Sequence, residues 1–252
     1  MPKWDAEKSY DRWLSMTARI ERLITSGTFS LDGGTWDVDN NVWIVGDDAE
    51  VVVVDPAHDP ELVSDKVGTR FCERILLTHG HDDHIRYALE TKDALGGIPV
   101  CLNSEDTMLW DAVFPDVEPD ENIAGGSTFS IAGLELQALH TPGHSPGSTC
   151  FYIESGLTLA QLPNDLGQAV DQLRKELGEN ASTPVLLSGD TLFAGGPGAT
   201  GRSYSSFDTI IDSIRSTLFE LPDSTVVLTG HGDATTIGAE RPHLSEWIAR
   251  GH

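Results

Sequence analysis

The sequence predicts an α/β protein that folds as a four-layer αββα sandwich, in which two sheets pack face to face beneath outer helices. Three observations favour this class. Short apolar runs typical of strands alternate with segments of helical periodicity along most of the chain. A series of strands followed by strand–helix units occurs twice, with the division near Gly147. A chain of 252 residues also has room for one domain with a substantial core.

The first half is predicted to begin with a helix over residues 5–25, because Trp13, Ile20, Leu23 and Ile24 fall at helical spacing. Strands and helices then follow one another between turns rich in glycine and aspartate. The predicted strands cover residues 27–31, 42–46, 50–55, 74–78, 99–102, 128–131, 134–139 and 148–154. The predicted helices cover residues 60–67, 84–95 and a segment that starts at Ser104.

Residues 155–183 interrupt this order with a predicted helix that Asp165 can cap. The apolar side chains of this helix share one face: Leu166, Ala169, Val170, Leu173 and Leu177. The remaining predicted elements are strands over 184–188 and 225–229, a helix that starts at 207 and stops before Pro222, and a last helix over about 240–250.

These elements indicate an N-terminal helical extension over residues 1–25 and one domain over residues 26–252. The domain carries an inserted helical segment at about 155–183. Packing of this insertion against the sandwich is the favoured interpretation. A lid over the site and a contact in a homodimer are the alternatives.

The composition restricts the function. Forty acidic residues against sixteen basic ones give a formal net charge of -24, which disfavours binding to nucleic acid or to anionic lipid. A small-molecule substrate is therefore expected. The first residues lack the apolar run of a secretion signal, and no segment approaches the roughly 20 apolar residues of a membrane span. The three cysteines are odd in number and widely spaced, which predicts buried reduced thiols and a cytoplasmic location.

The strongest chemical signal is the string Thr78-His79-Gly80-His81-Asp82-Asp83-His84. Three histidines and two aspartates follow an apolar strand within this single turn. Three neighbouring imidazoles would repel one another if protonated and would be costly to bury if neutral and unpaired. A metal ion removes this conflict, because it binds neutral imidazole and accepts carboxylate ligands. The string therefore predicts a metal site: His79 and His81, two residues apart, can share one ion, and Asp83 and His84 are expected to face elsewhere, which suits a second ion. Asp82, between the predicted ligands, is expected to be solvated.

Three further polar residues follow later strands. His144 lies in the turn Thr141–Ser148, Asp190 follows the strand over 184–188, and His231 follows the strand over 225–229. Each is a weak signal alone. Strand ends at one edge of a sandwich converge, however, so together they predict five histidines and two aspartates around a pair of ions with positions left for water and substrate.

With these motifs, the sequence resembles the metallo-β-lactamase superfamily over about residues 26–245. The HxHxDH string and the later single ligands match in order. The resemblance implies one metal held by His79, His81 and His144, a second held by Asp83, His84 and His231, and a bridge through Asp190. Asp83 and Asp190 are then the predicted catalytic carboxylates. Two divalent ions are expected, with zinc as first choice and iron or manganese as alternatives.

Within the superfamily, the chain looks most like glyoxalase II and related thioester hydrolases. Thr141–Ser148 is close to their TPGHTxGS motif, and Ser188–Phe193 matches their GDxLF motif. The resemblance implies a hydroxide, bridging the metals, that attacks the carbonyl of a thioester. Only twenty-one residues follow His231, whereas glyoxalase II uses a C-terminal helical domain to hold glutathione, so the carrier thiol stays open.

Several residues are predicted to support the ligands or touch substrate. Asp55 matches the early aspartate of the superfamily, which supports the ligands. His58 lies on a loop expected to face the metals. Arg202 ends a glycine-rich loop that resembles the GxGR segment of these enzymes; a structural arginine is favoured there, and the rim of the substrate mouth is the alternative. Tyr204 can help to stabilise an oxyanion.

Two other activities remain open on the same ligands. A persulfide dioxygenase of this superfamily would use one iron at the positions of His79, His144 and Asp190. A lactone or β-lactam hydrolase would share the hydroxide chemistry. A non-catalytic binding protein is disfavoured, because such a protein is expected to have lost ligands and all seven are present.

Overall fold

A computed structural model of the chain describes residues 17–251, which form two six-stranded mixed sheets and a separate pair of short strands. The first sheet contains β1 to β6 side by side in chain order. Its strands are β1 (Arg19–Leu31), β2 (Gly34–Gly46), β3 (Glu50–Val54), β4 (Phe71–Leu76), β5 (Val100–Leu102) and β6 (Glu121–Asn122). The first three strands are antiparallel, whereas β3 to β6 run parallel.

The β1–β2 hairpin is the longest feature of the first sheet, with 13 residues in each strand. Its register pairs Leu31 with Gly34, so the turn contains only Asp32 and Gly33. Both turn residues have positive φ angles, 53° and 79°. An Asp-Gly pair favours this type of tight turn, because its backbone twist matches that of the strands.

The second sheet has the order β14-β13-β10-β9-β8-β7. Its strands are β7 (Thr128–Ile131), β8 (Leu134–His140), β9 (Thr149–Ile153), β10 (Val185–Gly189), β13 (Val226–Thr229) and β14 (Thr235–Thr236). The separate pair is β11 (Leu192–Phe193) and β12 (Gly196–Pro197). Strand β10 is parallel to β13 and antiparallel to β9, which is itself antiparallel to β8. Strands β8, β10 and β13 therefore run in one direction.

Helices cover the outer face of each sheet. Those of the first half are α1 (Pro60–Val67), α2 (Asp82–Ile85), α3 (Ala88–Ala94) and α4 (Thr107–Val113). Those of the second half are α5 (Gln168–Leu177), α6 (Phe207–Ser216), α7 (Ile237–Glu240) and α8 (Leu244–Arg250). Among residues 17–251, no helix is long and apolar enough to cross a membrane.

The packing confirms the predicted four-layer sandwich. Alternate residues of a strand belong to different cores, as the twofold periodicity of a strand requires. Val52 and Val54 pack between the two sheets, whereas Val51 and Val53 pack under α1. A third cluster lies between the second sheet and α6, where Ile210 is fully buried. All three cysteines are buried and free, as predicted.

The structure corrects several predicted elements. The helix predicted over residues 5–25 is wrong where the chain is described, because Arg19–Leu31 is a strand of the first sheet; residues 1–16 lie outside the described part. The helix predicted over 84–95 is divided into α2 and α3. The helix in the insertion begins at Gln168, after Gly167, and Asp165 does not cap it.

Candidate metal centre

The carboxyl ends of five strands bring the predicted site residues to one edge of the sandwich. In the first sheet, Asp55 follows β3 and the string that begins at Thr78 follows β4. In the second sheet, His144, Asp190 and His231 follow β8, β10 and β13. Because strands in each set run parallel, their following loops meet at the same edge, where catalytic residues of α/β folds commonly lie.

One group of ligand atoms comes from His79, His81 and His144. These atoms lie within 4.8 Å of one another, and all three side chains are buried. The His79 Nε2 and His81 Nδ1 atoms are 3.0 Å apart. Three imidazoles at this spacing form a ligand set that zinc and related ions accept.

A second group consists of Asp83, His84 and His231, whose ligand atoms also lie within 4.8 Å of one another. The Nε2 atoms of the two histidines are 3.3 Å apart. Asp190 lies between the two groups. Its Oδ1 is 3.4 Å from His84 Nε2, and its Oδ2 is 3.4 Å from His231 Nε2 and 3.6 Å from His144 Nε2.

Asp55 fixes the orientation of two of these histidines. Its Oδ2 accepts a hydrogen bond from His84 Nδ1 at 3.0 Å and another from the Thr78 hydroxyl at 2.7 Å. Because the Thr78 hydroxyl donates its hydrogen to Asp55, its oxygen accepts a hydrogen bond from His79 Nδ1 at 3.0 Å. Both histidines are left with Nε2 as the free nitrogen. This is the supporting role that the resemblance implied for Asp55.

Backbone carbonyls orient two further histidines in the same way. His144 Nδ1 donates to the carbonyl of Ala199 at 2.9 Å, and His231 Nδ1 donates to the carbonyl of Asp39 at 2.8 Å. Each ring therefore presents Nε2 to the cluster. Outer hydrogen bonds that fix the ring and its tautomer are characteristic of metal-binding histidines.

The buried polar atoms of the cluster fit cations. His81 Nε2, His144 Nε2 and Asp190 Oδ1 are buried and have no hydrogen-bond partner among the described residues. Unpaired buried polar atoms are costly, and few occur without a reason. These three converge with carboxylates and neutral imidazole nitrogens, which is the donor chemistry of divalent transition metals. The residues present therefore fit metal ions.

The protonation pattern differs between the two groups. Burial, reinforced by neighbouring histidines, holds the pKa of His79 well below its ordinary value and lowers that of His81 to about 3. Burial opposes protonation of His231 as well, but Asp190 and Asp83 outweigh it and raise the pKa to about 10. His79 and His81 are therefore neutral, whereas protons on His84 and His231 balance the carboxylates of the second group. Cation binding there must release protons.

Asp106 is a supporting residue that the sequence reasoning missed. Its carboxylate accepts hydrogen bonds from the Gly80 N–H at 2.8 Å, the Ser145 hydroxyl at 2.7 Å and the Gly147 N–H at 2.6 Å. It therefore joins the loop of His79 and His81 to the loop of His144. An available signal was its position just after β5, a further parallel strand that ends at this edge.

The polar run Asp39-Asn40-Asn41 inside β2 is a second feature that was missed. Asn40 is fully buried and donates to Asp83 Oδ2 at 3.0 Å. Asn41 donates from Nδ2 to the carbonyls of Thr229 and Gly232, on both sides of His231. Consecutive amides directly before the apolar run over 42–45 are the sequence signal, because buried amides need partners.

A cavity of about 230 Å³ opens onto the cluster. Its lining residues are Phe29, Val38, His81, Asp83, His144, Asp190, Phe193, Ala199, Arg202, Ser205 and His231. The volume lies slightly below the range of roughly 300–1,000 Å³ that is usual for small-molecule pockets. The cavity therefore suits a small substrate.

The other candidate residues have different positions. Arg202 lines the cavity, whereas Tyr204 is exposed and His58 is buried beside Gly27 and Tyr87; neither of the latter two lines the cavity. Asp82 is not solvated as expected, because it pairs with Arg86 and accepts from the Ser30 N–H at 2.9 Å.

Comparison with known proteins places these features in a family. The model of the metallo-beta-lactamase superfamily matches residues 35–159. An uncharacterized protein of Aquifex aeolicus is 30% identical over 203 residues, which cover 76% of this chain and 83% of that protein. Hydroxyacylglutathione hydrolase GloC of Haemophilus influenzae is 27% identical over 209 residues, which cover 77% of this chain and 86% of the relative.

Solved structures show the same architecture. The BLEG-1 B3 metallo-beta-lactamase superimposes with a TM-score of 0.64 at 26% identity, covering 88% of this chain and 99% of that one. The di-iron-bound form of TTHA1623 superimposes with a TM-score of 0.58 at 25% identity, covering 81% of this chain and 93% of the other.

Proposed function

Because this chain belongs to the metallo-β-lactamase superfamily, whose members are mostly metal-dependent hydrolases, we propose that it is a dinuclear metal-dependent hydrolase of small thioesters. One observation carries the proposal. Two groups of three ligand side chains lie side by side, and the two oxygens of Asp190 face both groups. One carboxylate between two ligand sets suits a pair of cations.

The first group would hold one ion through His79, His81 and His144, and the second would hold another through Asp83, His84 and His231. Asp190 would bridge them. The di-iron form of TTHA1623 supports a pair of ions on this architecture. Zinc is our first choice for this chain, because imidazole and carboxylate ligands suit it, and iron and manganese are the alternatives.

Divalent cations at such a centre supply Lewis-acid activation of a carbonyl and of a water molecule. The protein orients the reactants. Asp83 lies beside His231, with Oδ2 and Nε2 3.3 Å apart, and Asn40 holds the same oxygen at 3.0 Å. The pKa of Asp83 reflects this environment: burial raises it, but His84 and His231 outweigh burial and lower it to about 2. Asp83 is thus an ionised acceptor that can position a water proton.

The cavity lining favours a leaving group that needs no proton. Apart from the residues of the two ligand groups and Asp190, its polar side chains among the described residues are Ser205 and Arg202. Neither is a general acid near neutral pH. A thiol with a pKa of about 8.5 leaves as thiolate with little assistance, whereas an amine requires protonation. Thioesters are therefore easier substrates for this site than amides.

The relative from Haemophilus influenzae, a hydroxyacylglutathione hydrolase, supports a thioester as substrate. The small cavity and the net charge of -24 favour a small molecule over a nucleic acid. The carrier thiol and the acyl group are open, and they are to be identified with a substrate panel.

The test uses the full chain loaded with zinc, iron or manganese in separate preparations. Hydrolysis is measured as the acid formed from acyl thioesters of small thiols, and in the same way from matched oxygen esters, a lactone and a β-lactam. We expect thioesters to be hydrolysed fastest and Asp190→Ala to lower the rate by at least about 100-fold. Hydrolysis confined to the lactone or β-lactam would reject the thioesterase proposal, as would oxygen uptake with a persulfide by the iron form alone.

A further inference from the structure

The guanidinium of Arg202 lies over two aromatic rings at the cavity. Its guanidinium carbon lies 3.9 Å from the ring centroid of Trp36 and 5.4 Å from that of Phe29. The Phe29 ring in turn lies 5.2 Å from the ring of His81. One aromatic ring therefore separates the guanidinium from a predicted metal ligand.

The hydrogen-bonding edge of this guanidinium is unused by the protein. Among residues 17–251, the Arg202 side chain has stacking partners but no hydrogen-bond or ion-pair partner. Asp32 interacts with the Arg202 charge: hydrogen bonds from Ser203, and to a smaller extent the charge of Arg202, lower the pKa of its carboxyl group. Asp32 accepts from the Ser203 N–H at 2.9 Å and from the Ser203 hydroxyl at 2.6 Å. These two hydrogen bonds fix the loop of Ser203 to Asp32, at the tip of the β1–β2 hairpin.

Arg202 is also the only lysine or arginine among the residues that line this cavity. In a chain with a net charge of -24, a positive side chain with free donors at the mouth is a specific feature. A guanidinium whose face is stacked and whose edge is free matches the planar, bidentate geometry of a carboxylate. The Phe29 ring lies between Arg202 and His81, and the cavity lining also includes the apolar side chains of Val38 and Phe193.

We propose that Arg202 is the receptor for a carboxylate of the substrate and that Trp36 orients it. The substrate class is then a small thioester with one carboxylate, separated from the thioester carbonyl by an apolar segment that packs on Phe29. This inference rests on the proposed hydrolase function for its substrate class. The carboxylate can belong to the acyl part or to the thiol part.

Two pairs of substrates distinguish these sources. For the acyl part, the S-ethyl monothioester of adipate is compared with its primary amide. For the thiol part, S-acetyl-3-mercaptopropionate is compared with S-acetyl-3-mercaptopropionamide. We expect the zinc-loaded protein to prefer the carboxylate in at least one pair by roughly tenfold to hundredfold in kcat/KM, as expected for hydrogen bonds to a charged group.

Variants assign the preference to Arg202. Arg202→Gln should abolish this preference by raising KM for the carboxylate substrate. Trp36→Leu keeps the charge of Arg202 but removes the aromatic ring beneath it. This variant should reduce the preference for the carboxylate by less than Arg202→Gln does. Arg215→Gln is the matched control, since Arg215 lies on α6, pairs with Asp212 and is 60% exposed in its side chain. A preference that is missing from both pairs, or one that survives Arg202→Gln, would overturn the inference.

A binding measurement separates this inference from the hydrolase proposal. Calorimetry of the loaded full chain with 3-phenylpropionate and 3-phenylpropionamide requires no turnover. The carboxylate should bind roughly tenfold or more tightly than the amide, and Arg202→Gln should remove the difference. If no thioester is hydrolysed but this difference is present, the hydrolase proposal fails and the receptor stands. Equal binding by the variant and the unaltered chain rejects the receptor.

Discussion

The backbone N–H of Gly80 donates a hydrogen bond of 2.8 Å to Oδ2 of Asp106. Gly80 lies between two predicted ligands, His79 and His81, and Asp106 also holds the loop of His144. A side chain added at Gly80 would approach the side chain of Leu109 to 2.9 Å, so the glycine allows this close contact. The geometry of the three-histidine group therefore depends on a carboxylate outside it.

Replacing Asp106 should loosen the first ligand group. Asp106→Ala leaves the buried N–H groups of Gly80 and Gly147 without acceptors, which costs roughly 1–3 kcal/mol each. We expect a lower urea midpoint and a loss of bound metal, measured on the same preparations. Asp106→Asn should be intermediate, since one oxygen acceptor remains. Glu105→Ala, at an exposed neighbouring acid, is the control, and a metal loss equal in both variants would contradict this role.

The adjacent aspartates of the histidine string should behave differently. Asp83 faces the second ligand group, whereas Asp82 pairs with Arg86 and the backbone of β1. Asp83→Asn should reduce bound metal from two ions toward one and lower hydrolysis by at least about 100-fold. Asp82→Asn should retain the metal. The metal content of both variants is measured by mass spectrometry. An equal loss of metal in the two variants would reject the assignment of Asp83 as a ligand.

The metal-free protein should lose stability at alkaline pH. Carboxylates raise the pKa of His231 from 6.5 to about 10 despite burial. A raised pKa in the folded state stabilises the protein fully below pH 6.5, and this contribution is lost as pH rises to about 10. The urea midpoint of the metal-free chain should therefore fall between pH 7 and 10. In the loaded chain, cations replace the protons and the fall should be absent.

A variant isolates this pH effect. His231→Gln should remove most of the alkaline slope of the metal-free chain, whereas His243→Gln, at a half-exposed histidine that pairs with Glu246, should leave it unchanged. An unchanged slope in His231→Gln would show that other groups cause the instability.

The insertion at 155–183 should contribute mainly to stability. Leu166 and Val170 are fully buried in the core between the sheets, and Arg174 donates to the carbonyls of Leu159, Leu162 and Pro163. Leu166→Ala should cost about 2–5 kcal/mol of unfolding free energy by urea titration. Leu177→Ala, at a residue that is 50% exposed at the end of α5, should cost about 0.5 kcal/mol or less.

The alternatives for this insertion predict another pattern. If the insertion is a lid, Leu177→Ala should change KM, and if it is a dimer contact, the variant should change the molecular mass in solution. Either change would contradict packing as its main role.

The sequence predicts which residues lie together in the candidate site because its signals are local. His79, His81, Asp83 and His84 are adjacent along the chain, and single ligands at strand ends meet once the strands are parallel. Asp106 was not predicted, because its role depends on contacts with two loops 26 and 41 residues away. Such contacts follow from tertiary packing, which a single sequence does not reveal.

The incorrect prediction of a helix that reaches residue 25 has a similar cause. The spacing of Ile20, Leu23 and Ile24 fits one face of a helix, yet Arg19–Leu31 pairs along its whole length with β2. Ile24 is 47% exposed, whereas the adjacent Thr25 is buried, as expected for neighbouring residues on opposite faces of a strand. Short apolar patterns are ambiguous between helix and strand, and the long partner strand determines the outcome.

The most direct test of the dinuclear centre is the metal content of the full chain, purified without chelator and measured by mass spectrometry together with its absorption spectrum. We predict about two divalent ions per chain, as zinc or a mixed pair, with Asp190→Ala reducing both the content and thioester hydrolysis. A single iron per chain would contradict the dinuclear hydrolase and favour the dioxygenase. A chain that binds no metal, even after reconstitution, would contradict the metal centre itself.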